Sequence, residues 1–222
     1  GFTKIVFVVR EPFLEAFKSS VEAKWSGVIE LAYVFQETNT FVTKKGISRK
    51  KPWGTGHALL CAKEEINTPF CVINADDFYC FHSYQLIHDF LTDPTRKGES
   101  ALVGYAIEAT LSENGGVSRG VCNFKNDYLE TIEERLGIEF SPSENKILAK
   151  GENEEIEISP LTIVSMNFWG FQPSIFPIAQ ELFDAFIEKY EGGNEEFYLP
   201  SIIQSMIQEN NHKVRVIKSE EK

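Results

Sequence analysis

An α/β fold, with a mostly parallel mixed sheet covered by helices on both faces, is what this sequence predicts. Three observations carry the prediction. Short β-branched and aromatic runs without polar alternation read as strands buried on both faces. Stretches with apolar residues at helical spacing lie between them. The two patterns then alternate through Ile107, as βαβ units require.

Lys4–Val9 is the first such strand. Pro12 suits a helix first turn, and Phe13, Phe17, Val21 and Trp25 recur at i, i+4 spacing, so an amphipathic helix follows. A second strand is expected over Val28–Gln36, then a polar, basic loop from Thr38 to Trp53. Gly56–Ile66 reads as a short helix, Phe70–Ala75 as a buried strand, and Ser83–Leu91 as a helix with Leu86, Ile87, Phe90 and Leu91 on one face. Ala101–Ile107 is the next strand. The second half changes character. Gly116–Phe124 and Tyr128–Glu134 form a hairpin around Asn126-Asp127, and Leu136–Ile158, charged and weakly patterned, reads as an excursion or a flexible hairpin. Leu161–Phe171 is a strand, followed by helices over Pro173–Tyr190 and Tyr198–Glu209 and a last strand, Lys213–Lys218.

At 222 residues the chain is long enough for one substantial core, and without an internal repeat it reads as one α/β domain over 1–222. It opens with GFTKIVFVVR, a strand within its first residues, and stops at VRVIKSEEK, shortly after another. A domain truncated at both ends of a longer polypeptide is therefore expected. The net charge of −11 argues against general nucleic-acid binding, because phosphate backbones are held by excess Lys and Arg. The apolar runs fall far short of the ~20 residues of a membrane span. No membrane partner is expected, and oligomeric state is not legible. Cys61, Cys71, Cys80 and Cys122 match neither a zinc nor a C-x-x-C pattern. They read as small buried hydrophobes in a reducing, cytoplasmic protein.

Two features carry chemistry. Asp76 and Asp77 follow the apolar run at the carboxyl end of its strand, where α/β sheets bind ligands. The pair reads either as a holder of a hard divalent cation or as the N-cap of the next helix. The loop Pro52-Trp53-Gly54-Thr55-Gly56 leads into a helix. Its glycines either admit a ligand to the backbone or merely permit a tight loop. Lys44, Lys45, Arg49, Lys50 and Lys51 precede it, as a solvated face or as a guide for a polyphosphate.

Together the residues resemble a family. W-G-T-G-H-A followed by F-C-V-I-N-A-D-D-F-Y is similar to the sugar-phosphate nucleotidyltransferases, and the likeness continues in order through S-E-N-G-G-V-S-R-G-V-C, I-E-E-R, V-S-M-N-F-W-G-F and F-Y-L-P-S. The resemblance implies a Rossmann-like fold related to GT-A glycosyltransferases. It implies an Mg²⁺-dependent reaction between a nucleoside triphosphate and a sugar 1-phosphate that releases pyrophosphate, with a pyrimidine base preferred. A cytidylyltransferase acting on phosphocholine or another alcohol phosphate, and a non-catalytic nucleotide-binding module, share the fingerprint. By position, Asp76 matches the family's metal-binding aspartate, with Asp77 in support. Gln36 and Gly54 match base-reading positions, in the loop that Thr55 and Gly56 complete. Gly116, Glu134 and Asn167 fall where relatives meet the sugar. Arg135 stands where a lysine meets the phosphate, keeping the charge but changing its geometry. The family's glycine-rich loop, roughly G-x-G-[ST]-R, and its second metal-binding aspartate are expected in the parent polypeptide, outside residues 1–222.

Overall fold

The computed structural model of the chain describes residues 1–42, 46–47, 49–151 and 154–219. They divide into two compact units, Gly1–Thr68 with Pro173–Met206 and Pro69–Gln172 with Ile207–Lys222.

The first unit begins with β1 (Lys4–Val9), α1 (Leu14–Trp25) and β2 (Glu30–Phe35). The two strands pair in parallel from Lys4↔Glu30 to Val9↔Phe35, the register a short βαβ crossover gives. Pro12 lies in a short 3₁₀ turn that leads into α1, where its missing N–H costs nothing. The apolar stripe of α1 is only partly covered: Phe17 meets Phe7 edge-on at 5.0 Å, while Trp25 stays exposed. The core of this unit lies elsewhere. It gathers around α2 (Thr55–Cys61), α4 (Ile175–Lys189) and the part of α5 (Leu199–Asn210) up to Met206. Trp53, His57, Phe183 and Ile202 are fully buried there, and Trp53 meets Phe183 and Tyr190 edge-on at 6.2 and 4.9 Å. The helix expected to Ile66 ends at Cys61, and a 3₁₀ turn over Lys63–Glu65 replaces its last part.

The second unit holds an eight-stranded sheet. Its strands are β3 (Phe70–Val72), β4 (Ser100–Ala106), β5 (Val117–Lys125), β6 (Tyr128–Ser141), β7 (Lys146–Lys150), β8 (Glu155–Ile158), β9 (Ile163–Phe171) and β10 (Val214–Lys218). The order is β10-β4-β9-β5-β6-β7-β8, with β3 beside β9. Arg215↔Tyr128 also joins β10 to β6, so five strands close a circuit, as in a barrel. One helix, α3 (Phe81–Thr92), buries Ile87, Phe90 and Leu91 against Ala101, Val103, Tyr105 and Phe168. It packs so closely that a Cβ on Gly170 would stand 2.7 Å from Ile87.

A mixed α/β architecture is present, but the expectation of a mostly parallel sheet is corrected. Among the described residues only β1–β2 and β4–β10 pair in parallel, and the other pairings are antiparallel. The reason is connectivity. Strands β5 to β7 follow one another through tight turns, which can only make antiparallel neighbours, and β8 pairs with β7 in the same antiparallel sense. Asn126 and Asp127 take φ of 51° and 63°, as a two-residue hairpin turn requires. Then β9 inserts against β3, β4 and β5 with opposite sense to all three. The region 136–158 is an ordered pair of hairpins wherever it is described. Ile138, Ile147 and Ile158 turn inward to a second core with Ile107 and Val164.

All four cysteines are free thiols. Burial pushes those of Cys61, Cys71 and Cys122 up to about 12, which keeps them protonated and unreactive. Among the described residues no helix is long and apolar enough to cross a membrane.

Candidate functional site

In the first unit, Gln36 follows the last residue of β2, where its backbone N–H still bonds Val9 O at 3.0 Å. Its side-chain Nε2 donates to Gly54 O at 2.8 Å, so two residues that resemble base readers are joined directly. The loop between Trp53 and Gly56 is clamped from a third segment. Phe197 N–H donates to Trp53 O at 2.6 Å, Gly56 N–H to Phe197 O at 2.9 Å, and Leu199 N–H to the Thr55 hydroxyl at 3.0 Å. Trp53, fully buried, donates its indole N–H to Thr38 O at 2.7 Å. The glycines admit protein here. A Cβ on Gly54 would stand 2.7 Å from Phe197 O, and one on Gly56 would stand 2.7 Å from the Phe197 ring.

His57 is the residue of this loop region that the motifs alone do not single out. It is fully buried, tilted against Phe183 at 4.9 Å, and reaches Thr40 O with Nε2 at 3.0 Å and Gln36 Nε2 with Nδ1 at 3.3 Å. Burial pushes its imidazole below the ordinary value, against the opposing pull of the Thr40 carbonyl. A histidine one residue past a glycine pair, on the buried face of a short helix, is the signal the sequence offers for it.

Two members of the basic run, Arg49 and Lys51, are spent on the protein. Arg49 donates to Lys51 O, Pro52 O, Tyr190 OH and Gly193 O and stacks on Trp53 at 4.4 Å. Lys51 pairs with Glu196. Lys50 is exposed beside an open cleft that Gly192 and Gly193 also line. Lys44 and Lys45 lie outside the described residues.

In the second unit the two aspartates part company. The chain leaves β3 at Val72 and bends through Ala75–Asp77 before α3. Asp77 is half-buried, and its Oδ2 accepts from Asn74 Nδ2 at 2.8 Å, with the Tyr79 hydroxyl at 3.4 Å. The Tyr79 hydroxyl donates to Met166 O at 2.7 Å and accepts the Asn74 N–H at 3.1 Å. Burial pushes that phenol upward, so it stays a donor. Asp76 is exposed and, among the described residues, makes no hydrogen bond or ion pair. Neither aspartate caps α3, whose N-cap is Cys80.

Met166 belongs to a bulge that fixes Asn167. Leu102 pairs with Trp169 but Gly104 pairs with Ser165, so β9 spends four residues where β4 spends two. Asn167 absorbs the difference at φ 61°, a conformation that Asn tolerates better than most residues, and its N–H donates to Ser165 Oγ at 3.0 Å. Tyr79 therefore ties the aspartate loop to the Asn167 bulge. Removing its hydroxyl in Tyr79→Phe strands the Asn74 N–H and the Met166 carbonyl, and is expected to cost about 1–3 kcal/mol in urea unfolding.

Glu134, Gly120 and Ser165 stand opposite one another in one row across β6, β5 and β9, two residues from Asn167. The Glu134 carboxyl is pushed above its usual range by desolvation, against the pull of Arg119, although the residue as a whole stays exposed. Arg135 is the next residue of a regularly paired stretch, so it faces the other side of β6 and pairs with Glu133 at 2.8 Å. The structure does not bring Glu134 and Arg135 together. Gly116 meets a second bulge: a Cβ there would stand 3.0 Å from the backbone of Gly137, whose φ is 60°. No group of three His, Cys, Asp or Glu side chains suited to a metal occurs among the described residues.

With this geometry in place, comparison with known proteins gives a fold. No protein-family model matches the chain, and no curated protein matches its sequence. Solved structures do match. The chain is similar to the inositol-1-phosphate CTP transferase from T. maritima, with a TM-score of 0.57 at 10% identity, over 97% of this chain and 66% of that one. It is similar to a putative glucose-1-phosphate thymidylyltransferase from Bacillus anthracis, with a TM-score of 0.59 at 12% identity, over 97% and 67%. It is also similar to a UDP-glucose pyrophosphorylase from Acinetobacter baumanii, with a TM-score of 0.52 at 15% identity, over 99% and 70%. This chain spans about two thirds of the length of the first two. It shares the fold of the sugar-phosphate nucleotidyltransferases, the family its motifs resemble.

Proposed function

We propose that the protein is an enzyme that joins a nucleoside triphosphate, with a pyrimidine base, to a sugar 1-phosphate and releases pyrophosphate. Residues 1–222 belong to a Rossmann-like, GT-A-related nucleotidyltransferase domain within a cytoplasmic protein that needs no membrane or nucleic acid. The observation that carries the reading is Asp76: an exposed carboxylate without a partner among the described residues, on a loop fastened by Asp77 and Tyr79, in a chain that shares the nucleotidyltransferase fold.

Hard carboxylate oxygens suit Mg²⁺, which is commonly held by one or two carboxylates together with water and substrate phosphates, so Asp76 would hold it without a third protein ligand. Bound Mg²⁺ supplies charge neutralisation on the triphosphate. A sugar phosphate oxygen attacks the α-phosphorus in line, a new P–O bond forms, and the bond to the β-phosphate breaks to free pyrophosphate. The protein positions the reactants. Gln36 and Gly54 meet the base on a loop shaped by Thr55 and Gly56. Gly116, Glu134 and Asn167 meet the sugar, while Arg135, turned to the opposite face of β6 and paired with Glu133, is not assigned to its phosphate.

A second reading replaces the sugar phosphate with the phosphate of an alcohol or alditol and takes CTP. The likeness to the T. maritima transferase favours it. One assay separates the two readings and tests both. The full-length protein is incubated with each common nucleoside triphosphate, Mg²⁺ and a panel of sugar 1-phosphates and alcohol phosphates, and pyrophosphate is measured. Release with a sugar 1-phosphate is expected. Release confined to phosphocholine or another alcohol phosphate selects the second reading, and no release with any pair overturns both.

A further inference from the structure

Gln36 offers a ligand one of two opposite chemistries, depending on which end of its carboxamide turns outward. Two protein acceptors settle the choice. Gly54 O, 2.8 Å from Nε2, can only accept. Thr40 O, 3.0 Å from His57 Nε2, also only accepts, so the proton of a neutral His57 sits on Nε2 and leaves Nδ1 a bare lone pair. That lone pair faces Gln36 Nε2 at 3.3 Å. Both N–H bonds of the amide are thereby taken, and Oε1 makes no hydrogen bond among the described residues.

We propose that His57 is a positioning residue that locks the Gln36 amide with its oxygen free, so that this side chain accepts only from a nucleobase presenting an N–H. A pyrimidine ring N–H or an exocyclic amine satisfies that requirement, and an oxygen or bare ring nitrogen at the same place is repelled. This rests on the base-reading role proposed for Gln36. The surroundings keep the lock in one state. His57 is fully buried, tilted against Phe183 at 4.9 Å and edge-on to Phe41 at 6.3 Å, so its ring cannot turn without disturbing both. Its helix is anchored one residue earlier, where Gly56 N–H donates to Phe197 O.

The test has two arms on the full-length protein. Nitrogen-15 NMR of the histidine rings at neutral pH is expected to show His57 protonated on Nε2 and bare on Nδ1, and the opposite tautomer overturns the proposal whatever the enzyme does. Kinetics then compare the preferred nucleoside triphosphate with the next best. His57→Phe keeps a ring against Phe183 but loses the lone pair. It is expected to lower the ratio of kcat/KM values roughly tenfold, through KM for the preferred triphosphate more than through kcat. His57→Asn, whose Oδ1 can accept where Nδ1 did, is expected to recover most of that discrimination. Discrimination retained in folded His57→Phe overturns the positioning role alone. Wild-type protein that binds no triphosphate overturns the base-reading role and this proposal with it.

Discussion

Asp76→Asn is expected to lower pyrophosphate release by roughly a hundredfold or more while leaving the unfolding transition where it was. The two halves of that result have separate causes. The side chain is exposed and bonded to nothing among the described residues, so folding does not depend on it. The charge is lost, however, and with it the hard anionic oxygen that would hold a divalent cation. Asp77 predicts the opposite pattern. Asp77→Ala removes the acceptor of Asn74 Nδ2 and the neighbour of the Tyr79 hydroxyl, and is expected to cost about 1–2 kcal/mol of stability. Asp77→Asn, which keeps an oxygen there, is expected to retain most turnover. Steady-state pyrophosphate release and urea unfolding, measured on all three variants, check the contrast. Near-wild-type turnover in Asp76→Asn removes the metal assignment.

How far the sequence reveals this structure depends on the range of the interaction that decides each feature. β1 is legible to the residue, because its short β-branched and aromatic run is bounded by polar neighbours and leaves no other reading. Helices α3 and α4 are legible within two residues, because their stripes are local. Strand direction is not. Phe70–Val72 has the composition of a parallel strand, yet its partner is Trp169–Phe171, about a hundred residues on and running the other way. A buried run reports that two faces are covered, not which way the neighbour runs. The hairpins of 136–158 have a period-2 signal in Glu155-Ile156-Glu157-Ile158, but the charge around it masks the three isoleucines that share a core. The site divides in the same way. That Asp76 and Asp77 come after a strand is legible, although the strand expected to reach Ala75 ends at Val72. That one is exposed and the other bonded depends on Tyr79, and Tyr79 depends on a bulge in β9 that no local pattern announces. Thr55 resembles a ligand contact, and its hydroxyl also accepts from the Leu199 N–H, a partner that lies too far along the chain to be read from the motif.

Gly54→Ala is expected to destabilise the first unit by about 3 kcal/mol and to abolish discrimination among nucleoside triphosphates together with that stability. Two costs add at this position. The backbone sits at φ 103°, ψ −175°, a region open essentially to glycine alone. The new methyl would also meet Phe197 O at 2.7 Å and Glu196 Cβ at 3.1 Å, and the first of these is main chain that cannot rotate away. Relief requires the 196–199 segment to retreat. That retreat breaks Phe197 N–H to Trp53 O and Gly56 N–H to Phe197 O, the bonds that hold both sides of the loop. The Gln36 amide then loses a fixed Gly54 carbonyl to donate to. Gly192→Ala is the matched control. It also has a positive φ, 103°, but a Cβ there meets nothing within 4 Å, so it carries the backbone cost without the clash or the loop damage. Urea unfolding followed by tryptophan fluorescence, which reports on buried Trp53, is expected to place Gly54→Ala well below Gly192→Ala. Equal losses in the two variants would show that conformation alone requires this glycine, and that the contact with Phe197 adds nothing.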